Sequence, residues 1–399
     1  MINKSFLTSA GFILLFILSV LRLPAQQYDA GQTYFGASQY IEYLAGELPI
    51  VITAPHGGYL EPTSIPDRDC SGCSYARDTY TQELARTLAE ALEARTGCLP
   101  HLVINRLHRK KLDANREIVE AADGDPQAEI AWTEWHHFIE SAQAQALQRF
   151  GKGFYIDLHG HGHDIQRLEL GYLLTSSELR LSDSALMARQ LLSESSIRTL
   201  AGNAPQGMTF PELLRGPSSF GGLLEARGYP SVPAPAMPFP TTAEPYFNGG
   251  YNTGRYCSRD GDAFDGLQIE CNWVGVRDNA ANRQRFADSL TSALMTFLEM
   301  YYFGDVSTSL CMQSGVNATP PEFHIYPNPR CDRFYAEQHD PTGATWQLVV
   351  YDFFGQILIQ DELPANETLE IPLKYQRDCL VVLRRNGQVI RSQMLFYCR

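Results

Sequence analysis

The sequence predicts an α/β fold, a mixed sheet flanked by helices, followed by a small C-terminal β-sandwich domain. Three observations carry this. Between residues 26 and 305, short apolar runs alternate with stretches of helical periodicity. Around residues 306–321 the texture turns polar and Ser/Pro-containing, as in a linker. From 322 to 399 there are only short strand-like runs and turn signals.

In chain order, residues 49–53 (PIVIT) are an apolar strand. Residues 81–95 place Leu84, Leu88, Ala91 and Leu92 at helical spacing, with Gly97 as a stop signal. Residues 102–105 are a second strand. Residues 127–150 form a long helix with Ile130, Trp135, Phe138, Ile139 and Ala142 on one face. Strands follow at 154–158 and 168–175, a helix at 184–200, a late strand at 267–271 and a helix at 282–302. Residues 202–258 are rich in Pro and Gly and read as a long loop that walls a binding cleft. In the last domain, Asn386-Gly387 is a hairpin signal.

The chain carries 32 Lys+Arg against 45 Asp+Glu, a net charge of −13, which argues against a nucleic-acid partner. Residues 1–25 have the charged start, apolar run and small residue (Ala25) of a signal peptide. The run from Gly11 to Leu21 is about half the roughly 20 residues that a spanning helix needs. Cleavage removes Lys4 and Arg22 but no acid, so the mature chain is more acidic still and has no transmembrane helix. Nine cysteines fit an oxidising, extracellular compartment. Cys70 and Cys73 suit a local disulfide or pairing with other cysteines better than half a zinc knuckle, because no second CxxC exists.

Four places carry chemistry. His56, in Ala54-Pro55-His56-Gly57-Gly58, follows an apolar strand, where open α/β sheets bind ligands. Asp157-Leu158-His159-Gly160-His161-Gly162-His163 ends another strand, and three His on alternate positions point to a metal. Asp157 and His159 project to one side if the strand runs that far, an arrangement in which a carboxylate supports a metal-binding imidazole. Asn115 and Arg116 in Leu112-Asp113-Ala114-Asn115-Arg116 can grip a carboxylate. Glu270, inside the apolar run Leu267-Gln268-Ile269-Glu270-Cys271, is costly to bury unless paired or working as a base.

Together, APHGG (54–58), RDTYTQEL (77–84), LDANR (112–116), YIDLHG (155–160), YFNGGYNTGRY (246–256) and LQIE (267–270) resemble the N-formylglutamate amidohydrolase family. That family is a branch of the zinc carboxypeptidase-like hydrolases, and the resemblance covers residues 48–303. It implies a zinc-carboxypeptidase-like sheet and one Zn2+ per catalytic domain, held by His56, His159 and a third ligand. Zinc carboxypeptidases place a Glu three residues after the first His, where this chain has Tyr59. Asp78 is the choice for third ligand, with Glu61 as the substitute. The resemblance further implies Glu270 as general base, and Asn115 and Arg116 on the substrate carboxylate, with Arg116, helped by Asn115, orienting that anionic end. It implies Arg255 on a carboxylate or oxyanion. The reaction would be hydrolysis of a C–N amide bond in a small amide or peptide. A carboxypeptidase-like or cell-wall amidase, and a catalytically inactive surface-binding protein, are the other readings.

At the far end, Tyr326-Pro327-Asn328-Pro329, VVYDFFGQIL (349–358) and the final hairpin resemble the C-terminal sorting domain of type IX secretion. This implies the secretion machinery as a partner and a secreted or cell-surface location.

Overall fold

The computed structural model describes residues 28–304 except 71 and 205–207, and beyond them the segments 322–327, 333–339, 346–351, 357–363, 368–372, 379–385 and 388–395. The expected signal peptide (1–25) and linker (306–321) lie outside the described residues.

One mixed eight-stranded sheet organises the larger part. Its strands are β1 (Thr33–Phe35), β2 (Ile41–Leu44), β3 (Ile50–Ala54), β4 (His101–Asn105), β5 (Gly153–Gly160), β6 (Leu168–Gly171), β7 (Ser231–Val232) and β8 (Phe264–Cys271), in the spatial order β1-β2-β4-β3-β5-β8-β6-β7. The central strands β4, β3, β5 and β8 are parallel, whereas β2 and β6 run antiparallel to their neighbours β4 and β8. Strands β3, β4, β5 and β8 are buried almost throughout, as strands covered on both faces must be.

Helices cover both faces. On one, α1 (Thr81–Thr96) packs against the C-terminal helix 280–298, and Leu84, Leu88, Phe286 and Leu290 are fully buried. Gly97 ends α1 in the left-handed conformation, φ 79°. A short helix, α2 (Ile118–Ala122), leads into α3 (Pro126–Phe150) on the opposite face. Asp125 caps α3 by accepting from the Gln127 and Ala128 N–H groups, and Pro126 stands where its missing N–H costs nothing. Trp135, Phe138, Ile139 and Ala142 of α3 are buried, but Ile130 is 53% exposed. Ala128 and Ala131 take its expected place in the core, because small side chains let the helix approach the sheet.

We expect Leu88→Ala to lower stability by about 2–5 kcal/mol, since it empties a sealed site between two helices. An unshifted denaturation midpoint would mean that this face does not hold α1 in place.

The expected helix 184–200 is instead three short ones: α4 (Ser176–Leu179) precedes α5 (Asp183–Leu186), α6 (Arg189–Glu194) and α7 (Arg198–Gly202). Ser side chains in this run serve nearby backbone, Ser182 capping Ala185 and Ser195 accepting from Ile197, and so interrupt the helix. The expected loop 202–258 contains α8 (Phe210–Arg215), α9 (Phe220–Glu225), β7 and α10 (Tyr251–Tyr256) before α11 (Ala280–Leu298) closes the domain. The start of α8 is a capping box, Thr209 with Glu212, which is legible as Thr-x-x-Glu.

Cys70 and Cys73 form a disulfide, while Cys257 and Cys271 are buried free thiols. No helix among the described residues is long and apolar enough to cross a membrane.

Beyond residue 321, all elements among the described residues are strands. Strands β9 (Glu322–Pro327), β10 (Arg333–His339) and β13 (Thr368–Pro372) form one antiparallel sheet. Strands β11 (Trp346–Tyr351), β12 (Ile357–Glu362), β14 (Cys379–Arg385) and β15 (Gln388–Leu395) form another. Arg385 pairs with Gln388, and the expected Asn386-Gly387 turn between them lies outside the described residues.

Candidate metal centre

Parallel strands point their C-terminal ends the same way, and three adjacent ones, β3, β5 and β8, deliver the site. His56 stands two residues beyond the end of β3. His159 lies near the end of β5, beside Glu270 in the register with β8. Asp78 comes from the segment before α1, and its N–H donates to the His56 carbonyl at 3.0 Å. Its Oδ2 accepts from the Gly160 N–H at 3.2 Å. Local backbone contacts therefore tie the carboxylate to both histidine loops.

The three side chains converge. Asp78 Oδ2 is 3.5 Å from His56 Nδ1 and 3.3 Å from His159 Nδ1, and the imidazole centroids are 4.7 Å apart. One ligand atom from each of the three lies within 4.8 Å of the others. Behind the rings, each Nε2 meets a carboxylate: His56 Nε2 is 2.6 Å from Asp113 Oδ1, and His159 Nε2 is 3.0 Å from Asp157 Oδ2. Asp113 is held in turn by Arg109 Nε at 2.8 Å, and Asp157 by the Thr53 hydroxyl at 2.7 Å. A carboxylate can only accept, so these contacts put the ring protons on Nε2 and turn both Nδ1 lone pairs inward.

Lone pairs from two imidazoles facing one carboxylate repel unless something positive lies among them. Among the described residues, His56 Nδ1 is a buried atom with no hydrogen-bond partner. At His159 burial disfavours the imidazolium, but Asp157, Asp78 and Glu270 outweigh it and raise the pKa well above the usual value. A proton on His159 answers this need for positive charge, and a divalent cation on the two His and the carboxylate would answer it as well. The donor set fits zinc with a position left open.

Glu270 is 5% exposed, with Oε1 3.9 Å from His159 Nδ1 and accepting from Gln268 Nε2 at 2.9 Å. Burial pushes its carboxyl up to about 8; His159 opposes the shift, and Asp78 and Glu169 reinforce it. It is therefore a carboxylate with unusual proton affinity facing the imidazole pair.

The other expected residues divide. Asn115 is buried beside the centre, its Nδ2 3.4 Å from His159 Nε2 and its Oδ1 accepting from the Asn252 N–H at 2.8 Å. A Cβ on Gly250 would overlap its amide, so glycine there lets the 246–256 segment close onto the site. Arg116 donates to the Asn115 carbonyl at 2.8 Å and to Glu120 at 2.9 Å, with about a third of its side chain exposed. Arg255 donates to Glu140 at 2.8 Å and to Tyr251 at 3.0 Å, and lies over the Trp132 ring, so its guanidinium is engaged on α3. Glu61 pairs with Lys110 at 2.8 Å and stands outside the group that Asp78 completes. The three histidines of residues 159–163 do not act together: His161 and His163 join Glu169 instead.

Two residues escaped the sequence reading. Asp113 sits in the Leu112–Arg116 motif, where only Asn115 and Arg116 drew attention. Arg277 donates from Nε to the Cys271 carbonyl at 2.9 Å, from NH1 to Thr79 at 2.7 Å and from NH2 to His161 at 2.8 Å. Those carbonyls flank Glu270, Asp78 and His159, and no spacing rule foretells such a contact.

An α/β sheet carries, at its strand ends, a buried His/His/Asp cluster that could hold a metal ion, with Glu270 facing it. No family model matches the chain, and no curated protein matches it. Among solved structures, the N-formylglutamate amidohydrolase from Ralstonia eutropha JMP134 aligns with a TM-score of 0.39 and 14% identity, over 66% of this chain and 97% of that one. A likeness of that degree says nothing about chemistry or substrate.

Proposed function

We propose that this chain is a metal-dependent hydrolase of C–N amide bonds, acting on an N-acyl or N-formyl amino acid or a peptide that bears a carboxylate. The observation that supports it is the convergence of His56 Nδ1, His159 Nδ1 and Asp78 Oδ2 beside the buried Glu270. A divalent cation such as zinc, when held by those three residues, supplies Lewis acidity, lowering the pKa of water toward about 7 and polarising a carbonyl.

The chain's own groups do the rest. Glu270 takes a proton from the attacking water and returns it to the leaving nitrogen, and its burial raises its affinity for that proton. Asp113 and Asp157 hold the imidazoles in one tautomer and orientation. Arg116, anchored on the Asn115 carbonyl and Glu120, presents a partly exposed cation to a substrate carboxylate. The Tyr80 and Trp273 rings stack 5.8 Å apart and are 39% and 38% exposed, two residues after Asp78 and three after Glu270. That apolar surface favours a substrate larger than a formyl amino acid, such as a peptide or a cell-wall stem.

We also propose export. Residues 1–25 support signal cleavage, and the all-β region from 322 onward supports a sorting role, with the catalytic unit spanning 26–305.

The reading is tested by the metal content of purified protein together with hydrolysis of a panel of acyl-amino acids and peptides. Metal without hydrolysis would indicate a surface-binding protein that kept the site. Arg116→Ala is expected to raise KM for carboxylate-ended substrates about tenfold or more, since a charge-assisted contact contributes about 1.5–3 kcal/mol. An equal loss with a neutral substrate would make Arg116 structural.

A further inference from the structure

Beyond the first centre, the sheet carries a second group of donors. Strands β5, β8 and β6 are neighbours, and His159 pairs with Glu270, which pairs with Glu169. Paired residues on adjacent strands project to the same face, so the three form a row. Strands lie roughly 4.8 Å apart, so the His159 and Glu169 backbones stand about 10 Å apart along the row, and their ligand atoms fall into two separate groups.

Glu169 is fully buried on an interior strand, where an ionised carboxylate is expensive unless matched by positive charge. Its Oε1 is 2.8 Å from His163 Nδ1, and its Oε2 accepts from the Phe247 N–H at 2.8 Å. The His163 ring is fixed by stacking on Phe247, with centroids 4.9 Å apart and an interplanar angle of 19°. His161 is 3% exposed, and its Nε2–H donates to the Arg167 carbonyl at 2.8 Å. That bond leaves Nδ1 unprotonated, and its lone pair accepts from the His163 N–H at 3.1 Å, a contact that an ion would replace. The His161 and His163 rings are 4.9 Å apart, and a ligand atom from each of His161, His163 and Glu169 lies within 4.8 Å of the others.

We propose that His161, His163 and Glu169 form a second divalent-cation site, separate from the His56–Asp78–His159 centre. Two imidazoles and one carboxylate are the mixed N/O set that zinc and its first-row neighbours take. The supporting shell is already built: a carbonyl holds His161, and a backbone amide and a stacked ring hold the other two. The His163 side chain is 21% exposed, which leaves a path for an ion from solvent. An ion here neutralises Glu169 and joins the turn that carries His161 and His163 to β6. The site does not depend on the amide chemistry.

The test is metal analysis of the mature chain expressed in zinc-replete medium, with His163→Ala, Glu169→Gln and His56→Ala beside the wild type. About two equivalents of zinc are expected in the wild type and about one in each variant. One equivalent or none in the wild type, unchanged by His163→Ala and Glu169→Gln, overturns the second site. Two equivalents that those variants leave in place overturn it as well. A single equivalent that is lost in His163→Ala and kept in His56→Ala supports the second site while telling against the first. Anomalous scattering at the zinc edge from wild-type crystals decides the matter even if a variant fails to fold: density among the three side chains is expected, and its absence there overturns the site.

Discussion

Replacing Glu270 with glutamine is expected to lower turnover by a factor on the order of 10²–10⁴ while leaving bound metal unchanged. Glutamine keeps the size of the side chain but cannot carry a proton between water and leaving group. Glu270 is not one of the three converging ligand atoms, so the metal should stay. The same change removes a carboxyl whose burial pushes its pKa up to about 8, and so relieves a desolvation cost. The variant should therefore melt no earlier than the wild type, which separates loss of chemistry from loss of fold. Near-normal turnover with metal in place would take Glu270 out of the mechanism.

The second large effect belongs to Asp78. Asp78→Asn retains an oxygen that can accept from the Gly160 N–H, so the loop keeps its anchor. It removes the charge that draws a cation between His56 and His159. Total bound metal is expected to fall by about one equivalent per chain after dialysis, because this centre is left with two imidazoles and no anionic ligand. The measurement is elemental analysis with Glu61→Gln as comparator. Full retention in Asp78→Asn, with loss in Glu61→Gln, would move the third ligand to a residue that pairs with Lys110 in the structure.

Much of this arrangement was legible in the sequence. The runs that became β3, β5 and β8 were readable because strands covered on both faces are continuously apolar, and polar residues inside or just beyond them stand out. His56, His159 and Glu270 were marked in that way. Asp78 emerged only from a family resemblance, since nothing local distinguishes it from any acid ahead of a helix. What stayed hidden has physical reasons. β1 and β2 are three and four residues long, too short to display a period. The serine-rich break between α5 and α7 arises from side chains competing for backbone partners. Arg255 looked available on a glycine-rich loop, but its Glu140 partner lies 115 positions away. The split of His159 from His161 and His163 follows from the end of β5 at Gly160, where regular alternation between the faces stops.

Arg277 has a consequence for how readily the centre takes up an ion. One guanidinium satisfies carbonyls from the end of β8, the segment before α1 and the turn after β5, and it is itself 4% exposed. Those three segments are tied to one another, so the donor atoms are held at their present spacing without an ion. If the centre holds a cation as proposed, uptake needs little rearrangement, and the metal-free protein should keep the shape of the loaded one.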